Sequence, residues 1–358
     1  MRRETSSEDF KPFGVRSTTY TLEHIDIEIN HHCNLACRHC SAEAVKGRCA
    51  DELSIPEIRK ILGQAKSLGL RRVGLTGGEP LCDVEKLEEV ARFCLDELDV
   101  PLHTHTNGTL IDEKLCNGNG VLRAFESVSV TFLGGDAETH DYMTATPESF
   151  KRALEGTKLL VSEGLPLTCY FIPTHGTCKG FEGLLRRLHD IGVRRIRPMA
   201  LAPSGRARPI YRETAPLKDE LQRFEEILLR FRDALGIRIE AGYCTRISMP
   251  QLSVLRGHEV CLSGINRVHI NSRGDVFPCT ASSGVRELRL GNLRENGFNI
   301  EEIWRGSELV NQIRSVHEGQ LEACEHCMLE PKCRSSCLVN SVATISDTVR
   351  QRCPLLSQ

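Results

Sequence analysis

Short apolar segments alternate with longer amphipathic segments over the first two thirds of the chain. Six short segments are rich in β-branched and other apolar residues, and they predict strands at residues 24–29, 72–75, 102–106, 127–132, 167–172 and 195–201. Helical patterns lie between them, in a segment after Ser54 and near residues 84–97, 147–162, 181–191 and 218–235. Six strand-then-helix units in a row predict an α/β fold with a parallel sheet and crossover helices.

The helix after Ser54 has a clear start signal. Ser54 is a favourable N-cap residue, and Glu57 stands three residues later, as in a capping box. After about residue 236 the pattern changes to short strands. Residues 268–271 and 274–279 predict a hairpin with its turn at 272–274. We therefore expect an N-terminal tail at 1–21, the α/β unit at 22–235 and a second small unit at 236–358.

Charge and hydropathy exclude several classes of partner. The chain has 46 basic and 48 acidic residues, a net charge of −2, so neither nucleic acid nor an anionic membrane is expected as a partner. No stretch approaches the ~18 apolar residues of a transmembrane helix. The first nine residues are polar and charged without an apolar segment, so they do not form a secretory signal, and we expect a cytoplasmic protein.

Cysteine usage changes this picture. The chain has 17 cysteines, of which three lie within residues 33–40 and seven within 261–353. Secreted disulfide proteins are usually short and carry a signal peptide, so clustering at ligand spacing indicates metal binding instead. The other seven are scattered, and apart from Cys244 we interpret them as small buried hydrophobic residues: Cys49, Cys82, Cys94, Cys116, Cys169, Cys178 and Cys244.

The first cysteine group directly follows the first predicted strand, where open α/β folds bind ligands. Cys33, Cys37 and Cys40 have the spacing C-x3-C-x2-C, which can hold three irons of a [4Fe–4S] cluster and leave the fourth open. This motif resembles the signature of the radical S-adenosylmethionine (SAM) enzymes. The resemblance implies a partial (β/α)6 TIM-like barrel, and an open iron that chelates the amino and carboxylate groups of SAM.

Three further strand ends carry candidate SAM-binding residues. The segment after the second strand resembles the GGEP motif of that family, which binds the SAM amino group, and its glutamate can accept a hydrogen bond from an ammonium. The end of the third strand lies on the face expected to touch SAM or substrate, with a plain Asn-Gly turn as the structural alternative. A hydroxyl on the fourth strand matches a family position that contacts the SAM ribose. These candidates are Thr76, Gly77, Gly78, Glu79, Pro80, Asn107 and Thr131.

Two other segments allow both a functional and a structural interpretation. His140 and Asp141 match a common HD pair of the family, although helix capping would also explain them, and Leu133 stands where the family usually has an aspartate. The loop at 203–206 resembles a P-x-G-R-A segment that borders the active site. The alternative for this loop is a basic surface turn.

The C-terminal cysteines resemble the SPASM extension of radical SAM enzymes, which binds auxiliary clusters. The seven are Cys261, Cys279, Cys324, Cys327, Cys333, Cys337 and Cys353. The resemblance implies two auxiliary [4Fe–4S] clusters, and three in total, with the first of the two held by Cys261, Cys279 and Cys337 and the second by the other four. Cys244 is the nearest candidate for the missing ligand; otherwise that iron is open to a substrate atom. A zinc site is the structural alternative.

The resemblance implies an enzyme that cleaves SAM reductively to a 5′-deoxyadenosyl radical and abstracts a hydrogen atom. We expect a ribosomally made peptide as substrate, with a small molecule such as a tetrapyrrole or a sugar-derived intermediate as the alternative. A flavodoxin- or ferredoxin-type reductant is expected as a partner. A separate leader-peptide-binding protein is a further possibility, since only about 21 residues precede the barrel. The alternative from another class is a non-catalytic Fe–S or zinc protein.

Overall fold

The computed structural model describes residues 20–255, 261–318, 337 and 339. Within these residues ten strands form a single sheet in the order β10-β9-β8-β1-β2-β3-β4-β5-β6-β7. The strands are β1 His24–Glu28, β2 Arg72–Thr76, β3 Leu102–Thr106, β4 Ser127–Phe132, β5 Leu167–Phe171, β6 Arg195–Pro198, β7 Arg238–Ile239, β8 Arg267–Ile270, β9 Asp275–Phe277 and β10 Gly291–Asn292.

Helices connect the parallel strands and cover one face of the sheet. They are α1 Ile55–Ser67, α2 Val84–Arg92, α3 Glu113–Cys116, α4 Ala137–Thr144, α5 Ser149–Ser162, α6 Phe181–Ile191, α7 Tyr211–Thr214, α8 Lys218–Leu235, α9 Tyr243–Ser248, α10 Ile300–Gly306 and α11 Glu308–Glu318. A π-helical turn, Phe93–Glu97, continues α2, and short 3₁₀ turns are Pro80–Cys82, Val121–Ala124, Gly205–Ala207, Pro250–Val254, Thr280–Ser282 and Arg286–Leu288.

The predicted α/β architecture is confirmed. All six predicted strands are present, and β1 to β6 pair in parallel with their chain neighbours. The start signal of α1 is also confirmed, because Glu57 Oε2 accepts a hydrogen bond from the Ser54 amide at 2.7 Å. The short strand β7 adds a seventh parallel strand, which the sequence pattern did not predict.

The predicted C-terminal hairpin is present as β8 and β9, which pair antiparallel. Its first strand also pairs with β1 in parallel, with Ile25 opposite Val268. Strand β1 therefore has a partner on both sides, β2 and β8. The cysteine-rich region continues the main sheet from its β1 side, because β9 and β10 then extend the sheet from β8.

The two faces of the sheet differ in polarity. Side chains such as Ile25, Ile27 and Val73 point towards the helices and are fully buried in the main apolar core. Alternate positions on the opposite face, which we call the concave face, carry polar groups. The sheet curls around this face far enough that the Arg206 amide, after β6, donates to the carbonyl of Cys40, after β1, at 3.0 Å. In the part of the chain that the structure describes, no helix combines the length and apolar character needed to cross a membrane.

Candidate active site

The three clustered cysteines lie together in the loop that follows β1. Cys33, Cys37 and Cys40 pack with Leu35 and Ala44 in a small group separate from the main core. The Cys33 amide donates to the Val45 carbonyl at 2.9 Å and closes the loop. Burial raises the pKa of the Cys33 thiol to about 12, an effect that the Leu35 amide opposes and that neighbouring Glu79 and Cys40 add to. Thiols in this position need a bound cation to become thiolates.

Hydrogen-bond donors already face one of these sulfurs. The Leu35 amide donates to Cys33 Sγ at 3.4 Å, and Asn107 Nδ2 lies 3.9 Å from the same atom. Asn107 Nδ2 also donates to Asn34 Oδ1 at 2.9 Å. Asn107, predicted at the end of β3, therefore holds the cysteine loop as well as facing the site. Such N–H donors stabilise the charge on a cluster-bound sulfur.

The predicted Gly-Gly turn lies directly against the cysteine loop. A Cβ atom on Gly77 would lie 2.3 Å from Asn30 Oδ1, and one on Gly78 would lie 2.4 Å from the His32 carbonyl oxygen. The Gly78 and Glu79 amides donate to the carbonyls of Asn30 and His32 at 3.0 and 2.8 Å. A side chain at either glycine would collide with Asn30 or His32. Glycine is therefore required at both positions for the turn to lie this close to the cysteine loop.

Glu79 is buried and joins three segments. Its carboxylate accepts hydrogen bonds from Thr106 Oγ1 at 2.7 Å, the Asn107 amide at 2.7 Å and the Leu81 amide at 3.1 Å. Burial raises the pKa of Glu79 to about 7, although these three hydrogen bonds oppose the shift. The hydroxyl of Thr76 donates to the Ile27 carbonyl at 3.3 Å and so joins β2 to β1. Pro80 follows as the first residue of a buried 3₁₀ turn.

The fourth strand places Thr131 opposite Tyr170 of β5, where it is half-buried. The nearby HD pair makes local hydrogen bonds. His140 Nδ1 accepts from the Leu133 amide at 3.2 Å. Asp141 caps α5, because its oxygens accept from the Phe150 amide at 2.8 Å, the Ser149 hydroxyl at 2.8 Å and the Glu148 amide at 2.6 Å. These hydrogen bonds agree with the structural alternative for His140 and Asp141, in which the two side chains order the loop after β4.

The loop after β6 also packs against the cysteine loop and forms hydrogen bonds with it. Arg206 donates from Nε to the Cys37 carbonyl at 2.8 Å and from Nη1 to the Ala44 carbonyl at 2.7 Å. Gly205 has a positive φ of 51°, and a Cβ there would lie 2.5 Å from the Cys40 carbonyl oxygen. Gly284 packs on Gly205 in turn, since its own added Cβ would lie 2.2 Å from the Gly205 nitrogen. The segment is thus part of the site and not a free surface turn.

A second cysteine site brings together cysteines from four separate places in the chain. Cys244, Cys279 and Cys337 share one apolar cluster with Val285 and Val339. Hydrogen bonds with Cys261 and Cys337 raise the pKa of the Cys244 thiol, and the Cys244 hydrogen bond lowers the pKa of Cys261. Burial and the charges of Cys337 and Cys261 raise the pKa of Cys279 to about 11.

Four sulfurs therefore meet at this site, which suits a four-thiolate cluster. Cys324, Cys327, Cys333 and Cys353 lie outside the described residues.

The concave face carries a group of side chains that the sequence analysis missed. Asp26 Oδ1 lies 3.2 Å from His24 Nε2 and 3.0 Å from His103 Nε2. The ring of His105 packs edge-on against His103 and Tyr170, with centroids 5.5 and 5.1 Å apart. The available signal was polar residues at every second position of two otherwise buried strands, in HIDIE of β1 and LHTHT of β3.

Comparison with known proteins agrees with this arrangement. The family model of the radical SAM superfamily matches residues 27–188, and that of the SPASM iron–sulfur cluster-binding domain matches residues 261–328. The AdoMet-dependent heme synthase of Oleidesulfovibrio alaskensis is 28% identical over 86% of this chain and 80% of its own length. The PqqA peptide cyclase of Xanthomonas euvesicatoria pv. vesicatoria is 25% identical over 93% of this chain and 88% of its own.

A solved structure shares the fold. SuiB of Streptococcus suis, bound to S-adenosylmethionine, superposes with a TM-score of 0.68 at 19% identity, over 92% of this chain and 75% of that one. At this identity the likeness extends to the fold alone. The two family models match the segments that contain the first cysteine loop and the C-terminal hairpin.

Proposed function

Because this chain is an enzyme of the radical SAM superfamily with a SPASM domain towards its C-terminus, we propose that it oxidatively modifies a peptide side chain. The observation that carries the proposal is the convergence of three loops on the first cysteine group. The loop after β2 reaches it through Glu79, the loop after β3 through Asn107 and the loop after β6 through Arg206.

Cys33, Cys37 and Cys40 would hold the [4Fe–4S] cluster that binds SAM. The cluster and SAM, when bound, supply a 5′-deoxyadenosyl radical that abstracts hydrogen from the substrate. Gly77, Gly78 and Glu79 lie against the cysteine loop, where they would orient the SAM amino group. Thr76 and Pro80 fix the two ends of that turn, and Thr131 would contact the ribose. The protein positions the groups and excludes competing reactions.

We further propose two auxiliary [4Fe–4S] clusters, which gives three clusters per chain. Cys244, Cys261, Cys279 and Cys337 would form a closed site for one of them. The apolar cluster of Cys244, Cys279 and Cys337 and the hydrogen bonds of Cys244 with Cys261 and Cys337 support this set. Cys324, Cys327, Cys333 and Cys353 would hold the other. A closed site favours electron transfer over substrate ligation, so this cluster would take the electron that an oxidative reaction releases.

A peptide is the first substrate candidate because of the chemistry of the concave face. Asp26, His105 and Arg197 give this face both hydrogen-bond donors and acceptors, and Arg197 donates to the Tyr170 hydroxyl at 2.9 Å. A peptide backbone offers matching groups along its length. The match to a PqqA peptide cyclase over 93% of the chain supports the same class.

A tetrapyrrole is the second candidate, and one observation favours it. The heme synthase from O. alaskensis has a higher identity, 28%, than the peptide cyclase, 25%. The histidines of the concave face suit an iron-bearing macrocycle, because imidazole is a common ligand of iron. The largely apolar plane of such a substrate fits this polar face less well than a peptide does.

We also propose partner proteins, a cellular location and a division of the chain into units. A flavodoxin- or ferredoxin-type protein would supply the electron, and a separate leader-peptide-binding protein would assist with a peptide substrate. We propose a cytoplasmic location, since cluster thiolates need a reducing compartment. The chain would divide into a tail at 1–21, the barrel at 22–235 and the SPASM unit at 236–358.

The decisive experiment incubates the reconstituted, reduced protein with SAM alone and measures 5′-deoxyadenosine. Wild type should form it, and the triple alanine variant of Cys33, Cys37 and Cys40 should not. Absence of product from fully loaded wild type would contradict the assignment. Adding a candidate peptide or a porphyrin with propionate side chains distinguishes the substrates, because the true one should raise the rate and yield a modified product by mass spectrometry.

A further inference from the structure

Three potential metal ligands, none of them a cysteine, meet on the concave face. Asp26 Oδ1 is 3.2 Å from His24 Nε2 and 3.0 Å from His103 Nε2, and the three ligand atoms lie within 4.8 Å of one another. Their side chains are only 17%, 15% and 15% exposed for His24, Asp26 and His103. Ligands about 2.0–2.2 Å from a common metal ion are separated by roughly 3 Å, so these spacings suit one ion.

The sheet itself creates this meeting point. His24 and Asp26 are alternate residues of β1 and share a face, whereas His103 lies on β3, with β2 in between. Gly74 is the β2 residue opposite both Asp26 and His103. A Cβ atom on Gly74 would lie 2.1 Å from Asp26 Oδ1 and 2.5 Å from His103 Nε2. The absence of a side chain at Gly74 is therefore what lets the carboxylate and the imidazole meet across a strand.

The protonation states suit ligand chemistry. Burial would raise the pKa of Asp26, but the charges and hydrogen bonds of His24 and His103 outweigh burial and hold it well below its usual range. Burial lowers the pKa of His24, and the nearby charges of His103 and Arg267 lower it further, against the pull of Asp26. The site therefore offers an anionic carboxylate oxygen at neutral pH, the form of Asp26 that binds metal.

We propose that His24, Asp26 and His103 bind a divalent transition-metal ion on the concave face. Two imidazoles and one carboxylate form a mixed nitrogen and oxygen donor set, which suits ions such as Fe²⁺, Co²⁺ or Zn²⁺. A second contact steadies the carboxylate, since the Thr280 hydroxyl lies 3.4 Å from Asp26 Oδ2. Three protein ligands leave coordination positions for a carbonyl or carboxylate oxygen of a substrate.

The test uses the full-length protein with its clusters reconstituted and oxidised. Co²⁺ is added in equilibrium dialysis, bound metal is measured by elemental analysis, and the low-temperature EPR spectrum of high-spin Co²⁺ is recorded. Wild type should bind one equivalent beyond its iron content. The Asp26→Asn and His103→Gln variants should each weaken this binding at least tenfold. His24→Gln, at the more exposed ligand, is a third variant in case one of the others does not fold.

His189→Gln is the matched control, because His189 lies at the end of α6, outside the concave face. It should bind Co²⁺ as wild type does. Each variant must keep the wild-type iron content, so that displacement of cluster iron is not counted as binding. Equal Co²⁺ affinity in wild type and in the ligand variants would overturn the proposal. A concentration of about 10⁻⁴ M is the order of the dissociation constant of a weak protein metal site. If the wild type binds no Co²⁺ at this concentration, the proposal is overturned, and the three residues form only a hydrogen-bonded group.

Discussion

Asn107 donates its backbone amide to Glu79 Oε2 over 2.7 Å, so the ends of β2 and β3 are joined through one buried carboxylate. Thr106 donates its hydroxyl to the other oxygen of the same carboxylate at 2.7 Å. Both donors lie beside the first cysteine loop. The shape of the proposed SAM site therefore depends on a single glutamate that is held from two strands.

Replacing Glu79 with alanine should weaken SAM binding by one to a few kcal/mol, since a charge-assisted hydrogen bond at a buried site is lost. The free energy of unfolding should fall by about 1–3 kcal/mol, because buried donors lose their acceptor. Calorimetric titration with SAM and urea unfolding measure the two effects. Glu79→Gln keeps one carbonyl oxygen and should lie between wild type and alanine. Unchanged SAM affinity with full iron content would refute the assignment.

Exchange of Arg206 for lysine should loosen the first cluster. Lysine has a compact ammonium on a flexible stem, so it does not reproduce the planar fork with which the guanidinium donates to the Cys37 and Ala44 carbonyls at 2.8 and 2.7 Å. Loss of one such hydrogen bond, about 1.5 kcal/mol, corresponds to roughly tenfold faster iron release to a chelator. Arg208→Lys is the matched control, because Arg208 makes a surface ion pair with Glu287 at 3.1 Å. Identical rates of iron release in Arg206→Lys and Arg208→Lys would argue against a role of the Arg206 hydrogen bonds in holding the cluster.

The Cys244→Ala variant tests the closed auxiliary site. Wild type should contain about twelve irons, from three clusters of four. Loss of one of four ligands should make that cluster labile and lower the count towards about eight. Cys178→Ala is the control, since Cys178 packs at the edge of the main core and should leave the count unchanged. Full iron and full turnover in Cys244→Ala would remove Cys244 from the ligand set.

Acid should destabilise the fold through His140. Burial lowers its pKa from 6.5 to about 4, although Asp141 opposes the shift. Between these values the unfolded chain binds the proton more readily, so the stability that neutral His140 contributes is present above pH 6.5 and is lost as pH falls towards 4. The loss between about pH 7.5 and about pH 5.5 should be about 1 kcal/mol.

Urea unfolding at the two pH values measures this loss. His140→Asn keeps an acceptor for the Leu133 amide but does not titrate, so its stability should fall less with acid. His189→Asn, at the end of α6, is the control for the same exchange at a different site. A wild-type pH dependence in His140→Asn would show that other groups cause the acid effect.

The sequence predicted local features well because local patterns decide them. The bounds of β3 and β4 match the predicted ranges, and α6 and α8 begin and end where the periodicity does. The parallel pairing of β8 with β1 was not predicted, because it joins segments far apart in the chain and periodicity carries no information about such partners.

In the candidate site, too, some features follow from local sequence and others depend on how distant segments pack. Cysteine spacing indicated the first cluster loop, whereas the position of Cys244 beside Cys261 depends on how α9 packs. The concave-face group depends on the register that sets Gly74 between Asp26 and His103. Register is fixed by the whole sheet and cannot be deduced from a single strand.

The position of β1 between β2 and β8 has a consequence for biosynthesis. Until residues 267–270 have left the ribosome, one side of β1 exposes unpaired amide and carbonyl groups, and such an edge recruits other chains. Pairing over so long a separation is also slow, because the intervening loop must close first. The nascent chain therefore passes through an aggregation-prone stage that ends only when β8 docks. Fragments that stop after β7 should be poorly soluble for the same reason, whatever their cluster content.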